Sequence, residues 1–194
     1  MTAPDREIEL KFLLSRDAAD AVLAALPRGE TAVKDLHAIY FDTADHWLRR
    51  QGFGLRVRRS GDQRVQTLKS ALGADGGRDE WEWPVKTDAP EIALLAETPA
   101  ALPDGAALVP LFTVTSRRAV RMIEEGGALV ELVIDAGEIR AGHRSVPLLE
   151  LEIELKTGNP SALRTLAERL ARVAPLTPSA ETKAERGYRL LGKT

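Results

Sequence analysis

Hydrophobic and polar residues alternate in two segments near opposite ends of the chain. The first is Glu7-Ile8-Glu9-Leu10-Lys11-Phe12, and the second is Glu150-Leu151-Glu152-Ile153-Glu154-Leu155-Lys156. Because alternate side chains of an extended strand share one face, each segment has a charged face and an apolar face. If the two strands are neighbours around a common space, their carboxylates would form a site for a hard cation such as Mg2+ or Mn2+.

The same alternation recurs elsewhere and predicts about eight strands. They span residues 7–14, 37–42, 54–59, 64–70, 78–86, 112–123, 128–135 and 147–156. Several of these strands are joined by short glycine-containing links, such as Gly61-Asp62 and Gly126-Gly127. Links this short indicate antiparallel pairing of consecutive strands.

Helical spacing of apolar residues predicts two helices beside the strands. Residues 16–26 follow Ser15 as a plausible N-cap, and residues 160–173 follow Asn159, with Pro160 in the first helical position. The second helix carries an apolar stripe of Leu163, Leu166, Leu170 and Val173. Both helices are expected to pack on the sheet.

Two further segments are less regular. Prolines at intervals through residues 88–110 indicate a loop with short helical turns, and residues 180–191 are expected to form a last short helix. Residues 187–194 fit the phosphate-loop pattern G-x-x-x-x-G-K-T, but that loop works only before a helix whose N-terminus faces the phosphate. Bulky residues fill the positions of the tight turn, so the match is rejected.

The charged strand faces are compatible with two architectures. One is an antiparallel sandwich with a dry core and a solvated charged exterior. The other is a closed barrel with the charged rows inside. The charged positions are nearly all Glu, Arg and Lys, with few of the Ser and Thr residues that are common on exposed strand faces, which favours the barrel.

The composition limits the chemistry. The chain has 194 residues and 44% hydrophobic content, which suits a single domain with a sizeable core. A formal net charge of −2 does not indicate a nucleic-acid or membrane partner, and without a signal peptide or a long apolar run a cytoplasmic protein is expected. The absence of cysteine and the presence of only three scattered histidines exclude disulfides and the usual zinc sites.

A charged barrel interior would need a ligand. Unpaired buried charges cost several kcal/mol each to desolvate, so such a lumen would hold water, metal and a charged molecule. Basic side chains next to carboxylates suit a polyphosphate, because Arg and Lys bind phosphate oxygens while carboxylates hold a bridging divalent cation.

These residues resemble the signature of the CYTH proteins, also called triphosphate tunnel metalloenzymes. The opening Glu7-x-Glu9-x-Lys11 matches the family's first motif, and further blocks follow in the family's order over nearly the whole chain. They are Tyr40-Phe41-Asp42-Thr43 with Leu48, Leu55-Arg56-Val57-Arg58, Thr67-Leu68-Lys69, Arg78-x-Glu80-x-Glu82, Arg118, Glu131 with Asp135, Glu150-Leu151-Glu152-Ile153-Glu154-Leu155, and Lys183-Ala184-Glu185-Arg186-Gly187-Tyr188.

The resemblance implies an α+β fold: an eight-stranded antiparallel β-barrel, or tunnel, with a charged lumen and flanking helices. It also implies that residues 1–194 form one triphosphate tunnel domain. The chain is most similar to bacterial inorganic triphosphatases, in which a CHAD helical domain often follows. A stand-alone protein and the N-terminal part of a longer CYTH-CHAD protein both remain open.

The resemblance also implies roles for individual residues. The metal ligands would be Glu7, Glu9, Glu152 and Glu154, which together with Lys11 would form the catalytic set. Phosphate contacts would come from Lys11, Arg56, Arg58, Lys69, Arg78, Arg118 and Lys183. A second metal, or the orientation of these bases, would involve Glu80, Glu82, Glu131 and Glu150, with Glu150 expected near the tunnel mouth.

The expected reaction is divalent-metal-dependent hydrolysis of inorganic triphosphate to pyrophosphate and phosphate, with Mg2+ or Mn2+ as cofactor. The expected partner is a small-molecule triphosphate or polyphosphate, and neither a nucleic acid nor a membrane. The alternatives are a thiamine or nucleoside triphosphatase, a class IV-type adenylate cyclase, and a non-catalytic polyphosphate-binding module.

Overall fold

The strands of the chain form a closed barrel. The computed structural model describes residues 3–74 and 76–192. Within them the strands are β1 (Asp5–Leu13), β2 (Ala32–Thr43), β3 (Phe53–Ser60), β4 (Gln63–Ser70), β5 (Gly77–Pro84), β6 (Leu108–Glu125), β7 (Ala128–Ala141), β8 (Arg144–Thr157) and β9 (Thr177–Pro178). The order β5-β4-β3-β2-β6-β7-β8-β1 is antiparallel throughout and closes through pairing of β1 with β5. The predicted eight-stranded antiparallel barrel is confirmed, with β9 as a short addition beside β1.

Strand β1 closes the barrel by dividing its length between two neighbours. Residues 5–8 pair with β5, and residues 9–13 pair with β8. This closure removes the free edges that an open sheet would expose. It also places Glu7 opposite Arg78 of β5 and Glu9 opposite Glu154 of β8. The first strand therefore contributes one carboxylate beside β5 and another beside β8.

Four α-helices accompany the barrel in the described residues. They are α1 (Arg16–Ala25), α2 (Trp47–Arg50), α3 (Ser161–Ala171) and α4 (Lys183–Leu190), with a 3-10 helix at Ile92–Leu95. As predicted, Ser15 caps α1, and its hydroxyl accepts a hydrogen bond from the Ala18 N–H at 3.1 Å. The helices found in this part of the chain are all too short or too polar to cross a bilayer.

The apolar strand faces point outward and are covered. Helices α1 and α3 place Val22 and Leu166 in one cluster with Leu132 and Ile153 of the strands. A second cluster joins Leu55, Leu68 and Trp81 to Leu95 of the 3-10 helix and to other residues of the 85–102 segment. Since the core lies between the barrel wall and its covering elements, the sandwich with a charged exterior is excluded.

Helix α4 packs against aromatic residues that point into one end of the barrel. Tyr188 meets Phe112 edge-on at a centroid distance of 5.4 Å, and Phe112 stacks on Tyr40 at 4.7 Å. A Cβ atom at Gly187 would lie 2.1 Å from the Phe112 ring, so this close approach requires glycine. Gly187 therefore serves helix packing, which agrees with rejection of the phosphate-loop match; the Lys193 and Thr194 of that match lie outside the described residues.

Several boundaries differ from the sequence prediction. Strand β2 begins at Ala32 because its first half pairs with β6, and β7 continues to Ala141 because it pairs with β8. Helix α2 and strand β9 were not predicted. Helix α3 ends at Ala171, which leaves Val173 50% exposed. These elements are set by partners distant in sequence, which local periodicity does not report.

Removal of a buried side chain between α3 and the barrel should destabilise the fold. Leu166 is fully buried, so Leu166→Ala is expected to lower the free energy of unfolding by about 2–5 kcal/mol. Val173→Ala, at an exposed position beyond the same helix, serves as the control and should change it by less than about 1 kcal/mol. Urea unfolding followed by circular dichroism measures both, and equal effects of the two substitutions would contradict the packing described.

Candidate active site

The barrel encloses a cavity of about 450 Å3, a volume within the range of small-molecule sites. Most of the predicted site residues line it: Glu7, Lys11, Arg56, Arg58, Lys69, Arg78, Glu80, Glu82, Arg118, Glu131, Glu152, Glu154 and Lys183. Glu9 and Glu150 stand in the same inward rows and contact lining residues directly. The structure thus brings the charged strand positions to one enclosed space.

Glu7 is held by two basic side chains from neighbouring strands. Lys69 Nζ donates to its two carboxylate oxygens at 2.7 and 2.8 Å, and Arg78 Nε donates at 2.5 Å. Burial by itself would raise the pKa of this carboxyl, but Lys69 and Arg78 outweigh it and hold the pKa of Glu7 at about 2. Glu7 is therefore an anion at neutral pH.

Strand β1 continues this ionic row towards β8. Arg78 Nη2 donates to Glu9 Oε1 at 2.8 Å, and Lys11 Nζ lies 3.6 Å from Glu9 Oε1 and 3.5 Å from Glu152 Oε1. In register, Glu9 faces Glu154 and Lys11 faces Glu152. The carboxylates of the first and last long strands therefore share one space, with basic side chains between them.

The tightest acidic cluster is not the predicted metal set. In the described parts of the chain, the one group of acids with oxygens within 4.8 Å of one another is Asp135, Glu150 and Glu152. Lys183 Nζ lies among them, at 3.0 Å from Asp135 and 2.8 Å from Glu152, and it also donates to Glu150. An ammonium group of α4 thus neutralises this cluster.

Glu150, which was expected near the tunnel mouth, is fully buried beneath α4. Its side chain has 0% exposure, and its contacts are Lys183 and Arg186, whose Nη1 lies 3.4 Å away. Burial, the largest effect, raises the pKa of Glu150, and Glu152 adds to the rise despite Lys183. The residue is buried because α4 covers it, a contact made across 33 residues of sequence.

Arg118 of β6 binds the same acidic cluster from the other side. Its Nε donates to Asp135 Oδ1 at 2.9 Å and its Nη2 to Asp135 Oδ2 at 2.6 Å, a bidentate pair. The same Nη2 lies 3.4 Å from Glu152 Oε2. Burial by itself would raise the pKa of Asp135, but Lys183 and Arg118 lower it below its ordinary value.

Arg56 and Arg58 are less completely neutralised than the other basic residues. The Nε atom of Arg56 is buried and has no hydrogen-bond partner among the described residues, and Arg58 Nη2 lies 3.5 Å from Glu82 Oε1. Repulsion from Arg56, followed by burial and by Arg118, lowers the pKa of Arg58 to about 10. Two cations that repel each other inside a cavity make a site that favours an anion.

The remaining predicted acids form contacts around the same cavity. Lys156 Nζ lies 2.6 Å from Glu154 and 3.6 Å from Glu131. Burial raises the pKa of Glu154, and Glu7 adds to the rise while Lys156 opposes it. This carboxylate therefore takes up a proton more readily than a free glutamate does.

Glu80 and Glu82 belong to the ion-pair network of the wall. Glu80 lies 3.1 Å from Lys69, and Glu82 accepts a hydrogen bond from the Thr67 hydroxyl at 2.9 Å. Both line the cavity, Glu80 as a largely buried side chain and Glu82 as an exposed one.

Several lining or supporting residues were not predicted as site residues, among them Asp135, Lys156, Tyr188 and Arg49. Asp135 and Lys156 share the inward rows of Glu131 and Glu154, so alternation could have identified them. Tyr188 and Arg49 line the cavity from α4 and α2. Their position depends on how two helices pack on the barrel, for which the strand periodicity gives no signal.

Comparison with known proteins gives a curated relative with a clear match. It is the inorganic triphosphatase of Haemophilus influenzae, 32% identical over 195 residues, which cover 96% of this chain and 55% of that protein. The chain therefore spans about half the length of this relative.

Solved structures with a similar fold come from distant organisms. A Hippeastrum protein, named as an adenylyl cyclase and described with a dominant triphosphatase activity, matches with a TM-score of 0.69 and 22% identity over 97% of this chain and 96% of its own. A Bacillus halodurans protein, provisionally assigned as an adenylate cyclase, matches with a TM-score of 0.64 and 21% identity over 95% and 98%. At these identities the likeness establishes the fold.

The family comparison covers almost the whole chain. The model of the CYTH domain matches residues 5–188, which run from the first strand of the barrel to Tyr188 of α4. All of the inward-facing charged residues described above lie within this match. The chain belongs to the CYTH domain family.

Proposed function

We propose that this chain catalyses the divalent-metal-dependent hydrolysis of inorganic triphosphate to pyrophosphate and phosphate. The observation that carries the proposal is the pair Arg56 and Arg58, mutually repelling and incompletely neutralised inside an enclosed cavity that also contains carboxylates. A polyanion with a bridging cation satisfies both kinds of charge. The inorganic triphosphatase of Haemophilus influenzae, with 32% identity to this chain, supports the choice of substrate.

The basic side chains would bind the phosphates in two ways. Arg56 has a free Nε donor and would bind a phosphate oxygen without giving up an ion pair there. Most of the other basic groups now pair with carboxylates and would exchange them for phosphate oxygens. This proposed phosphate-binding set is Lys11, Arg56, Arg58, Lys69, Arg78, Arg118 and Lys183.

The donor chemistry of the acids fits a divalent metal. Glu7 and Glu9 of β1 and Glu152 and Glu154 of β8 bring carboxylate oxygens to one lumen, and such hard ligands suit Mg2+ or Mn2+. Lys11, Lys69 and Arg78 stand between these acids, so cation binding is coupled to the release of basic groups to the phosphates. When bound, the metal would neutralise phosphate charge and activate water.

The residues of the chain would contribute positioning and electrostatic stabilisation. Arg56 and Arg58 would take up the negative charge that grows on the leaving pyrophosphate. The acids around the cavity, including Glu80, Glu82 and Glu131, would orient the basic groups through the contacts described above. No covalent nucleophile is required for in-line attack by water.

Phosphate release from tripolyphosphate tests the proposed activity. Release is expected with Mg2+ or Mn2+, faster than from ATP or thiamine triphosphate. Glu9→Gln, which removes one inward carboxylate charge, should lower kcat by about 100-fold or more, because groups that stabilise developing charge contribute at that level.

The matched control for that substitution is Glu138→Gln, at a site where the glutamate pairs with Arg140 away from the cavity, and it should keep full activity. Tight binding of tripolyphosphate in calorimetry with no release at either metal would instead indicate a binding module.

Loss of one of the two repelling arginines should weaken substrate binding. Arg58→Ala is expected to raise the KM for tripolyphosphate by about tenfold or more, since a charge-assisted hydrogen bond contributes about 1.5–3 kcal/mol. Steady-state kinetics measure the change. The neighbouring Arg59→Ala, at an exposed position of the same strand, is the control and should leave KM unchanged. An unaltered KM in the Arg58 variant would remove that arginine from the site.

Activity should fall on the acid side of neutrality. Burial raises the pKa of Glu154 above the 4.5 of a free glutamate, so this proposed ligand loses its charge at a higher pH than an exposed carboxylate would. The pH dependence of kcat/KM at a metal concentration well below saturation is therefore expected to have an acid limb centred above 4.5, because saturating metal would compete with the proton for Glu154. A profile that stays flat down to pH 4 would contradict the assignment of Glu154.

A further inference from the structure

A buried carboxylate outside the proposed reaction links two helices to the barrel. Asp42, near the end of β2, has 0% exposure. Its Oδ1 accepts hydrogen bonds from the N–H groups of Thr43 and Leu48, both at 2.7 Å, and its Oδ2 accepts from the Arg49 N–H at 3.0 Å. The side chain thus satisfies the first N–H groups of α2, although it stands several residues before that helix.

The same carboxylate reaches α4. The Tyr188 hydroxyl donates to Asp42 Oδ2 at 2.6 Å across 146 residues of sequence. Tyr188 is 4% exposed, and the Arg49 guanidinium lies over its ring at 4.7 Å from the centroid. Asp42 is therefore the point at which β2, α2 and α4 meet.

The other end of α4 carries a proposed site residue. Thr182 and Glu185 form a capping box that fixes the first turn, and Lys183 follows the cap. Lys183 is 8% exposed and lies among Asp135, Glu150 and Glu152. Tyr188 lies five positions after Lys183 in the helix, a rise of about 7.5 Å, so a rigid helix transmits the position of one end to the other.

We propose that Asp42 is a positioning residue that acts through Tyr188 to hold Lys183 among the three carboxylates of the barrel. The inference rests on the proposed function in that Lys183 belongs to the proposed phosphate-binding set. The Asp42 side chain reaches the cavity lining through its hydrogen bonds with the Tyr188 hydroxyl and the Arg49 N–H.

The position of Lys183 matters because of what it neutralises. Asp135 and Glu150 have 0% exposure, and removal of their ammonium partner would leave buried carboxylates with less compensating charge. A displaced Lys183 would also become accessible to water. The exposure of this one amine therefore reports the position of α4 directly, whether or not the protein hydrolyses triphosphate.

The test is the rate at which an acetylating reagent modifies Lys183, followed by mass spectrometry at a temperature where each variant is folded by circular dichroism. Tyr188→Phe removes only the hydroxyl, and Asp42 Oδ2 keeps the Arg49 N–H as a donor. The loss of one hydrogen bond to a charged group should lower the free energy of local opening of α4. The rate of Lys183 labelling is therefore expected to rise about tenfold. The exposed Lys34 and Lys86 are internal references and should be unchanged.

Tyr40→Phe is the matched control, because it removes a hydroxyl from the same aromatic cluster without touching Asp42. It should leave Lys183 labelling within twofold of the wild type. Asp42→Asn provides a second variant and should raise labelling as Tyr188→Phe does.

A purely structural role for the Asp42–Tyr188 bond would lower Tm while Lys183 labelling of the folded protein stays within twofold in both variants, and that result would overturn the inference. If the wild type released no phosphate from tripolyphosphate, the proposed function would fail, while the labelling comparison would still decide the position of Lys183.

Discussion

The structure depends on the neutralisation of charge inside a closed barrel. Charged side chains that point into a lumen lose much of their hydration, and each would be costly if it stood alone. Here buried acids find basic partners at hydrogen-bond distance, so that Glu7 meets Lys69 and Arg78, and Asp135 meets Arg118. The ionic interior is tolerated because neighbouring strands supply opposite charges at hydrogen-bond distance.

Some of the charged side chains are fully paired and others are not, and this difference determines which ligands the cavity suits. Lys183 is not part of the barrel wall. It lies in α4 and forms ion pairs with the acids of β7 and β8. Arg56 and Arg58, by contrast, lie on the same face of β3, the first with an Nε that is unpaired in the described part of the chain and the second 3.5 Å from Glu82. The carboxylate-rich seam between β1 and β8 suits a cation, and the arginines suit an anion. One ligand with both a divalent cation and a phosphate chain meets both requirements.

Outside the lumen, ordinary burial holds the barrel in shape. The apolar rows of the strands pack against α1, α3 and the 85–102 segment, so the hydrophobic core surrounds the barrel instead of filling it. A cluster of aromatic residues occupies the interior at the end where α4 packs on Phe112. The charged stretch of the lumen is partly shielded from solvent, so electrostatic interactions there are stronger than in bulk solvent.

The sequence by itself determined the strands, their antiparallel pairing and the two faces of each strand, because a period of two residues is a local property. Alternation was enough to place Glu7 and Glu9 on one face of their strand, and Glu152 and Glu154 on one face of theirs. The resemblance to the CYTH family indicated that the charged face of each strand points into the barrel. Only the tertiary structure decided which charges meet: that Lys183 fills the cluster of Asp135, Glu150 and Glu152, that Glu150 is buried, and that Asp42 binds Tyr188. These contacts join residues far apart in the chain through the packing of α4, and no local pattern encodes a distance of that kind.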